Sequence, residues 1–325
     1  MRNVAIVAVL TASLCAAPAF AQSQNFPTRP ITMIVPFAAG GPLDTMGRVL
    51  GERMRVSLGQ PVLNEIVTGA GGSIGFGRVA RAAPDGYTFG LGMWSTHVVN
   101  GAIYTLPYDV LNDFEPIALL VQNADLIVGK SALPANDLKG LLAWLRANPG
   151  KASWGTQGVG GPSHVGGVLF EKLADARVQF VPYRGLAPAI QDLVGGQIDL
   201  LLPPPDIALP LVRAGQIKAY AVTAKNRLAA APDIPTVDQA GLPGFHFSVW
   251  TAFWAPKGTP KPVIAKLVAA VQDALADPVV RKKFEELGQE VFPREQQTPE
   301  ALASLQKAEI EKWWPIIKAA GIKAQ

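Results

Sequence analysis

Short apolar runs alternate along the chain with amphipathic runs of helical length. Runs of about four to eight apolar residues bounded by turn residues are typical of buried strands, whereas apolar spacings of three and four indicate helices. The predicted strands are 31–35, 62–66, 88–92, 152–154, 178–181, 198–202, 219–223 and 246–255. The predicted helices are 45–58, 74–82, 138–148, 165–173, 188–194, 207–214, 261–276, 279–287 and 299–320. This alternation predicts an α/β protein with mostly parallel sheets.

Two long apolar segments, 117–128 and 246–255, bracket one α/β block of the chain. The simplest architecture that accommodates them has two α/β domains joined by two crossover strands, with a ligand cleft between the domains. We therefore predict a first domain formed by residues 22–122 and 249–325. The second domain is predicted to contain residues 123–248.

Two glycine loops each join a predicted strand to a predicted helix. The first is PFAAGGPLD at 36–44, and the second is WGTQGVGGPSH at 154–164. Glycine lets backbone N–H groups approach a ligand closely, and a helix N-terminus carries about half a positive charge. Neither loop has the sequence of a nucleotide-binding or dinucleotide-binding motif. Facing each other across a cleft, the loops could hold a carboxylate without an arginine.

The first 21 residues have the pattern of a secretory signal peptide. Arg2 precedes an apolar stretch at 4–14, and Ala19-Phe20-Ala21 offers the small residues that signal peptidase requires. The apolar stretch is shorter than the roughly 20 residues of a membrane anchor. The only cysteine, Cys15, follows Leu14 where a lipoprotein would have a small residue. An exported protein without disulfides fits a Gram-negative periplasm.

Charge and histidine content argue against nucleic-acid and metal binding. The net charge is +4, and the 29 basic residues are interleaved with 25 acidic ones and form no basic patch. Three histidines without metal-ligand spacing predict no metal site, and no motif calls for a cofactor.

Longer motifs distributed along the chain resemble one family, the Bug-type periplasmic receptors of tripartite tricarboxylate transporters. They are FPTRPITMIVPFAAGGPLDTMGR, STHVVN, LPYDVLNDFEPIA, GVGGPSH, VPYRGLAPAIQDLVGGQID, PDIPTVDQAGLPGF and APKGTP. The resemblance implies a type II periplasmic binding-protein fold that closes over a small carboxylate or dicarboxylate. It also implies a monomeric receptor, not an enzyme, that delivers its ligand to the integral-membrane permease subunits of the transporter.

The same resemblance implies that backbone N–H groups and bridging waters of both loops hold the ligand. The family pattern matches at Phe37, Ala38, Ala39, Gly40, Gly41, Asp44, Gly158, Gly160, Ser163 and His164. Further candidate ligand residues are Leu43, Trp94, Thr96, Gln157, Val159, Arg184 and Asp206. Leu43 replaces a hydroxyl residue frequent in relatives, and LLPPPD at 201–206 replaces a more polar run, so the specificity for the far end of the ligand does not carry over.

Several of these residues have two interpretations. Asp44 is expected to cap the first helix and to hold a water against the ligand carboxylate. His164 either orients its loop or touches the ligand. Trp94, Trp250, Phe253 and Trp254 are either core or a stacking wall for an aromatic ligand, while His97 and His246 are expected to be structural or on the surface.

Two other function classes remain open at this point. A ligand sensor for a membrane signalling partner would use the same fold and cleft. A periplasmic hydrolase would need Ser163 and His164 as nucleophile and base, although adjacent residues rarely serve each other in this way and no nucleophile elbow is present.

We predict that the protein recovered from the periplasm begins at Gln22, because Ala19-Phe20-Ala21 presents the cleavage site. Intact-mass measurement checks this prediction. A mass that includes residues 1–21, or a lipid on Cys15, would contradict it.

Overall fold

The computed structural model describes residues 25–323, so the predicted signal peptide lies outside the described residues. The strands are β1 Ile31–Val35, β2 Val62–Ile66, β3 Thr88–Met93, β4 Phe114–Ala124, β5 Leu126–Lys130, β6 Ala152–Thr156, β7 Val178–Pro182, β8 Leu200–Leu201, β9 Ile217–Val222, β10 Ser248–Pro256 and β11 Glu290–Val291. The helices are α1 Pro42–Leu58, α2 Ser73–Ala80, α3 Asn100–Ile103, α4 Leu138–Ala147, α5 Pro162–Ala174, α6 Leu186–Val194, α7 Pro205–Arg213, α8 Lys261–Ala276, α9 Pro278–Glu286 and α10 Pro299–Ala319. Single turns of 3-10 helix at Ala70–Gly72 and of π-helix at Ser95–Val99 precede α2 and α3.

The strands form two sheets, with order β11-β4-β10-β3-β1-β2 in the first and β7-β6-β8-β5-β9 in the second. Strand β1 is parallel to β2 and β3, and β6 is parallel to β7 and β8. Strands β4 and β10 pair antiparallel with each other, and β5 is antiparallel to both of its neighbours. The prediction of mostly parallel sheets is therefore wrong. Both sheets are mixed, because strands flanking the crossovers run against the strands of the βα units.

The long apolar segment at 114–130 is the first connection between the sheets. Ala124 pairs with Ser248 in the first sheet, and Leu126, two residues later, pairs with Val222 in the second. The return connection runs from β9 to β10. The domain boundaries at 122/123 and 248/249 stay a prediction.

Thr223 ties the two connections together. Its Oγ1 accepts a hydrogen bond from the Asp125 amide (2.9 Å) and lies 2.5 Å from the Phe247 carbonyl, to which it donates. The Thr223 amide donates to the Asp125 carbonyl, and the Phe247 amide donates to the Thr223 carbonyl. Thr223 is 1% exposed, so these bonds are shielded from water. The connections are thus joined side by side.

Each sheet has its own apolar core, and a third cluster spans both. The first sheet packs on α1 and α8, and the second packs on α6 and α7. The bridging cluster includes Trp94 and Trp313 from the first-sheet layer and Phe247 from the return connection, with ring centroids 5.3–5.6 Å apart. Within residues 25–323, no helix has the length and apolar character needed to cross a membrane.

Asp125 lies in the first connection and is only 3% exposed. Its carboxyl group receives one long hydrogen bond, from Asn123 Nδ2 at 3.4 Å. Burial, and after it the Asp206 carboxylate, raise the pKa of Asp125 well above its usual value, whereas the Asn123 bond acts in the opposite direction. The folded protein therefore retains this proton at pH values where the unfolded chain has lost it.

We expect Asp125→Asn to stabilise the protein at pH 7, because a neutral amide needs no proton in the buried site. Stability of the parent chain falls as pH rises from about 3.8 toward the raised pKa, so the advantage of the variant grows over that range. Melting temperatures of the variant and the parent at pH 4 and pH 7 measure this advantage. We expect the variant to melt roughly 2–4 °C higher than the parent at pH 7. Asp233→Asn, at an exposed position, is the control. An equal or lower melting temperature for Asp125→Asn at pH 7 would contradict the prediction.

Candidate functional site

The two glycine loops share the geometry of a Gly-Gly-Pro turn. Both contain Gly-Gly-Pro, and the first glycine has a positive φ, 75° at Gly40 and 76° at Gly160. Pro42 and Pro162 occupy the first helical positions of α1 and α5. Proline is favoured there because its fixed φ suits the helix and its missing N–H has no intrahelical partner in any case. The predicted helix starts at 45 and 165 were therefore each three residues late.

A side chain at the third helical position clamps each loop. Gly40 N–H donates to Asp44 Oδ2 at 2.8 Å, and Gly160 N–H donates to His164 Nδ1 at 3.1 Å. The prediction that Asp44 is the N-cap is wrong, because Gly41 occupies the cap position and makes no side-chain bond. Asp44 instead reaches back to the loop, as His164 does in the other sheet.

The Asp44 carboxylate is surrounded by donors and is 2% exposed. Asn64 Nδ2 donates to Asp44 Oδ1 at 2.9 Å, and Arg48 Nε donates to Oδ2 at 3.1 Å. The bond from Gly40 N–H, then that from Asn64, and finally Arg48 lower the pKa of Asp44 despite its burial. Its negative charge is thus compensated within the domain, which removes most of its repulsion toward an anionic ligand. The predicted water between Asp44 and the ligand stays a prediction.

Ser163 and His164 hold the second loop and do not form a catalytic pair. The Ser163 hydroxyl is fully buried and accepts from Gln157 N–H at 3.0 Å, and Trp154 Nε1 donates to the Ser163 carbonyl at 2.9 Å. Because His164 Nδ1 accepts from Gly160, its proton resides on Nε2. Burial lowers the pKa of His164, and its ring packs edge-on against Phe180. The imidazole is therefore a neutral hydrogen-bond acceptor at pH 7.

Each loop leaves backbone donors without a partner, among them two consecutive amides just before the Gly-Gly-Pro turn. The N–H groups of Ala38 and Ala39, and those of Gly158 and Val159, make no hydrogen bond to any residue in the described part of the chain. Ala38, Ala39 and Val159 are exposed, and Gly158 is half-buried. Free N–H groups beside a helix N-terminus form an anion-binding site. Neighbouring Phe37 and Gln157 are half-buried.

A third glycine loop at 69–73 belongs to the same region, and the sequence analysis missed it. Asn100 Nδ2 donates to the Gly71 carbonyl (2.9 Å) and to Ser73 Oγ (3.0 Å). A methyl group built on Gly72 would lie 3.5 Å from the ring of Phe37, so this loop borders the first. The signal was present in the sequence, because GAGGS at 69–73 stands between the predicted strand 62–66 and the predicted helix 74–82.

Two predicted ligand residues are enclosed in this conformation, and a third is half-buried against a core. Trp94 and Thr96 are both 0% exposed. Trp94 Nε1 donates to Glu309 Oε2, and the Thr96 hydroxyl donates to the Met93 carbonyl. Leu43 packs against the core of the first sheet. Contact of these three side chains with the ligand stays a prediction.

Arg184 and Asp206 are both exposed on the second-sheet side. Arg184 makes no ion pair with any described residue. Asp206 lies in the first turn of α7, where a methyl group built on Gly288 would be 3.4 Å from its amide nitrogen. Surrounding protein raises the pKa of the Asp206 carboxyl, although the residue as a whole is exposed. Their roles in binding stay predictions.

The aromatic residues proposed as a stacking wall belong to the core. Trp250, Phe253 and Trp254 are at most 1% exposed. Trp254 stacks on His97, with ring centroids 3.5 Å apart, and His97 is itself 0% exposed. The core interpretation of these aromatics is confirmed. In residues 25–323, no group of three or more His, Cys, Asp or Glu is arranged to hold a metal ion.

Comparison with known proteins agrees with this geometry. A profile of the tripartite tricarboxylate transporter family receptor matches residues 46–322. The structure of periplasmic binding protein BugD is 40% identical, with a TM-score of 0.76 over 92% of this chain and 100% of BugD. MatC of Rhodopseudomonas palustris with bound malate is 39% identical, with a TM-score of 0.77 over 90% of this chain and 100% of MatC. R. palustris Rpa4515 with adipate is 31% identical, with a TM-score of 0.78 over 92% of this chain and 99% of Rpa4515.

These comparisons decide two of the predictions. The type II periplasmic binding-protein fold is confirmed by the neighbouring structures. The matched family and its structural neighbours are solute-binding proteins, so the chain is not an enzyme and the hydrolase alternative is excluded.

We expect Asp44→Asn to destabilise the protein by about 1–2 kcal/mol at neutral pH, the scale of one charge-assisted hydrogen bond. Because the pKa of Asp44 is lowered from 3.8, its contribution is complete above that pH and is lost as pH falls through the lowered pKa. The difference between the two proteins should therefore narrow only below about pH 3.8. Urea unfolding from pH 3 to 7 measures this difference.

Glu52→Gln is the matched control for Asp44→Asn, because it removes an exposed partner of Arg55 on the same helix. Exposed ion pairs contribute little, so its unfolding curve should stay close to that of the parent chain. Equal stability of Asp44→Asn and the parent at pH 7 would show that the clamp needs no charge.

Proposed function

The chain belongs to the tripartite tricarboxylate transporter receptor family, and we propose that it captures a small dicarboxylate in the periplasm and delivers it to the permease of such a transporter. In this proposal one ligand carboxylate lies between the first and second glycine loops. The two loops follow strands of different sheets, so the binding site is complete only when the two sheets approach each other.

The free N–H groups of Ala38, Ala39, Gly158 and Val159 carry this proposal. Side chains on each loop satisfy the neighbouring glycine amides, which leaves these four donors for a ligand. Hydrogen bonds to an ionised acceptor are roughly twice as strong as neutral ones, and the N-termini of α1 and α5 add their favourable potential. An anion is therefore bound without a neutralising arginine.

The architecture of the site favours an aliphatic dicarboxylate over an aromatic one. The tryptophans that would have stacked on an aromatic ligand are enclosed in the core, and Leu43 faces the core as well. The third glycine loop lies beside Phe37, just before α2, and is the proposed neighbour of the far carboxylate. The ligands named for MatC and Rpa4515 are malate and adipate, two dicarboxylates of different chain length that can be tested.

A thermal-shift screen of the mature protein tests the proposal with malate, adipate, citrate, phthalate and acetate. A ligand at 100 times its dissociation constant stabilises by about 2.7 kcal/mol, which is visible for a protein of this size. We expect malate or adipate to raise the melting temperature more than phthalate or acetate does. Stabilisation by none of the dicarboxylates would contradict the proposed ligand class.

Val159→Pro and Val159→Ala form a matched pair for titration with the dicarboxylate that stabilises most. Both replace an exposed side chain, but only proline removes the N–H group. Losing one charge-assisted hydrogen bond should weaken binding about 10- to 100-fold in Val159→Pro and leave Val159→Ala near the parent affinity. Equal affinities, at equal melting temperatures of the free proteins, would remove this amide from the binding site.

A further inference from the structure

The short helix α3 touches two of the three glycine loops. Its first residue, Asn100, holds the third loop through Gly71 and Ser73. Its last residue, Ile103, lies one turn further on and faces Gly160 of the second loop. Helix α3 packs in the first-sheet layer, beside α10. A loop that follows a strand of the second sheet therefore rests on an element of the first.

The contact at Gly160 leaves no room for a side chain unless Ile103 shifts. A methyl group built on Gly160 would lie 2.6 Å from Ile103 Cδ1 and 3.9 Å from Ile322 Cγ2. Carbon atoms in contact normally stay about 3.5–4.0 Å apart. Gly160 is buried, although it belongs to a loop whose next residue toward the N-terminus, Val159, is 44% exposed. The two isoleucines thus cover the second loop at one point.

The end of α10 places Ile322 at this point. Gly321 has a φ of 65°, and its N–H donates to the Lys318 carbonyl, while the Ile322 N–H donates to the Ile317 carbonyl. These two bonds form a Schellman motif, in which an apolar residue after the glycine turns back onto the structure. Ile322 is 5% exposed as a result.

We propose that Ile103 and Ile322 form an apolar latch that holds the second loop against the first domain in the absence of ligand. The contact exists only when the two domains are close, and it involves no donor that the ligand uses. It therefore sets the fraction of free protein in the closed form, and through that fraction the apparent affinity. The inference rests on the proposed function only in treating the second loop as a ligand loop.

Pulsed electron–electron double resonance on the ligand-free protein tests the latch. Spin labels on cysteines placed at Leu63 of β2 and Leu173 of α5, both exposed, report the distance between the domains in the mature protein, which has no other cysteine after residue 21. We expect one dominant short distance in the parent chain. Ile103→Ala and Ile322→Ala should each raise the longer-distance fraction about five- to tenfold. An unchanged distribution in both variants would overturn the proposal.

Ile74→Ala is the matched control, because it truncates an exposed isoleucine next to the third loop of the same domain. In the described structure it packs beside Gly69 and not beside the second loop. Its distance distribution should equal that of the parent chain. An opening as large as that of Ile103→Ala would show general loosening and would overturn a specific latch.

Gly160→Ala tests the same contact from the second loop. It places a methyl group against Ile103 Cδ1 and should also open the domains. Because Ile103→Ala already removes the contact, adding Gly160→Ala to it should open the domains no further, and additive opening in the double variant would overturn the proposal. All distances are measured without ligand, so a failure of malate or adipate to bind would count against the proposed function and not against the latch.

Discussion

The site depends on how two strand-to-helix turns satisfy some of their backbone N–H groups and leave others free. A helix N-terminus begins with unpaired donors, and a glycine turn adds more. Here the third helical residue takes one glycine amide, through a carboxylate at Asp44 and through an imidazole at His164. That bond holds the loop, and the two preceding amides stay unpaired in the described structure. A carboxylate and an imidazole thus hold the same Gly-Gly-Pro turn, because the turn requires only an acceptor at that distance.

The rest of the fold holds the two turns on different sheets, whose layers pack against each other. An aromatic group of Trp94, Phe247 and Trp313 fills the space between the layers on one side, and Glu309 accepts a hydrogen bond from each of the two indoles. The shared carboxylate holds the two indoles within the first-sheet layer, and Phe247 of the return connection packs against both rings. This packing therefore stabilises the interface without using the free amides of the glycine loops.

The sequence predicted most of the fold, because apolar periodicity reports which faces are buried. Strands β1 and β2 and helix α8 have the predicted bounds. The errors have local causes: proline at the first helical position extended α1 and α5 backward, and strand direction at the crossovers leaves no mark in the apolar pattern. At the site, glycines located the first two loops, but burial of Trp94 and Thr96 depends on packing from α10 and the π-helical turn, which lie far away in sequence or have no periodic signature. The Ile322 contact likewise joins residues about half the chain apart.

The threonine at position 223 has a mechanical consequence. Two separate linkers between rigid bodies would permit both bending and torsion. One hydroxyl and three backbone amides cross-link Asp125, Thr223 and Phe247 and so restrict the independent torsion of each linker. A rotation of one linker at this level must displace the other, so the two connections act as one mechanical unit.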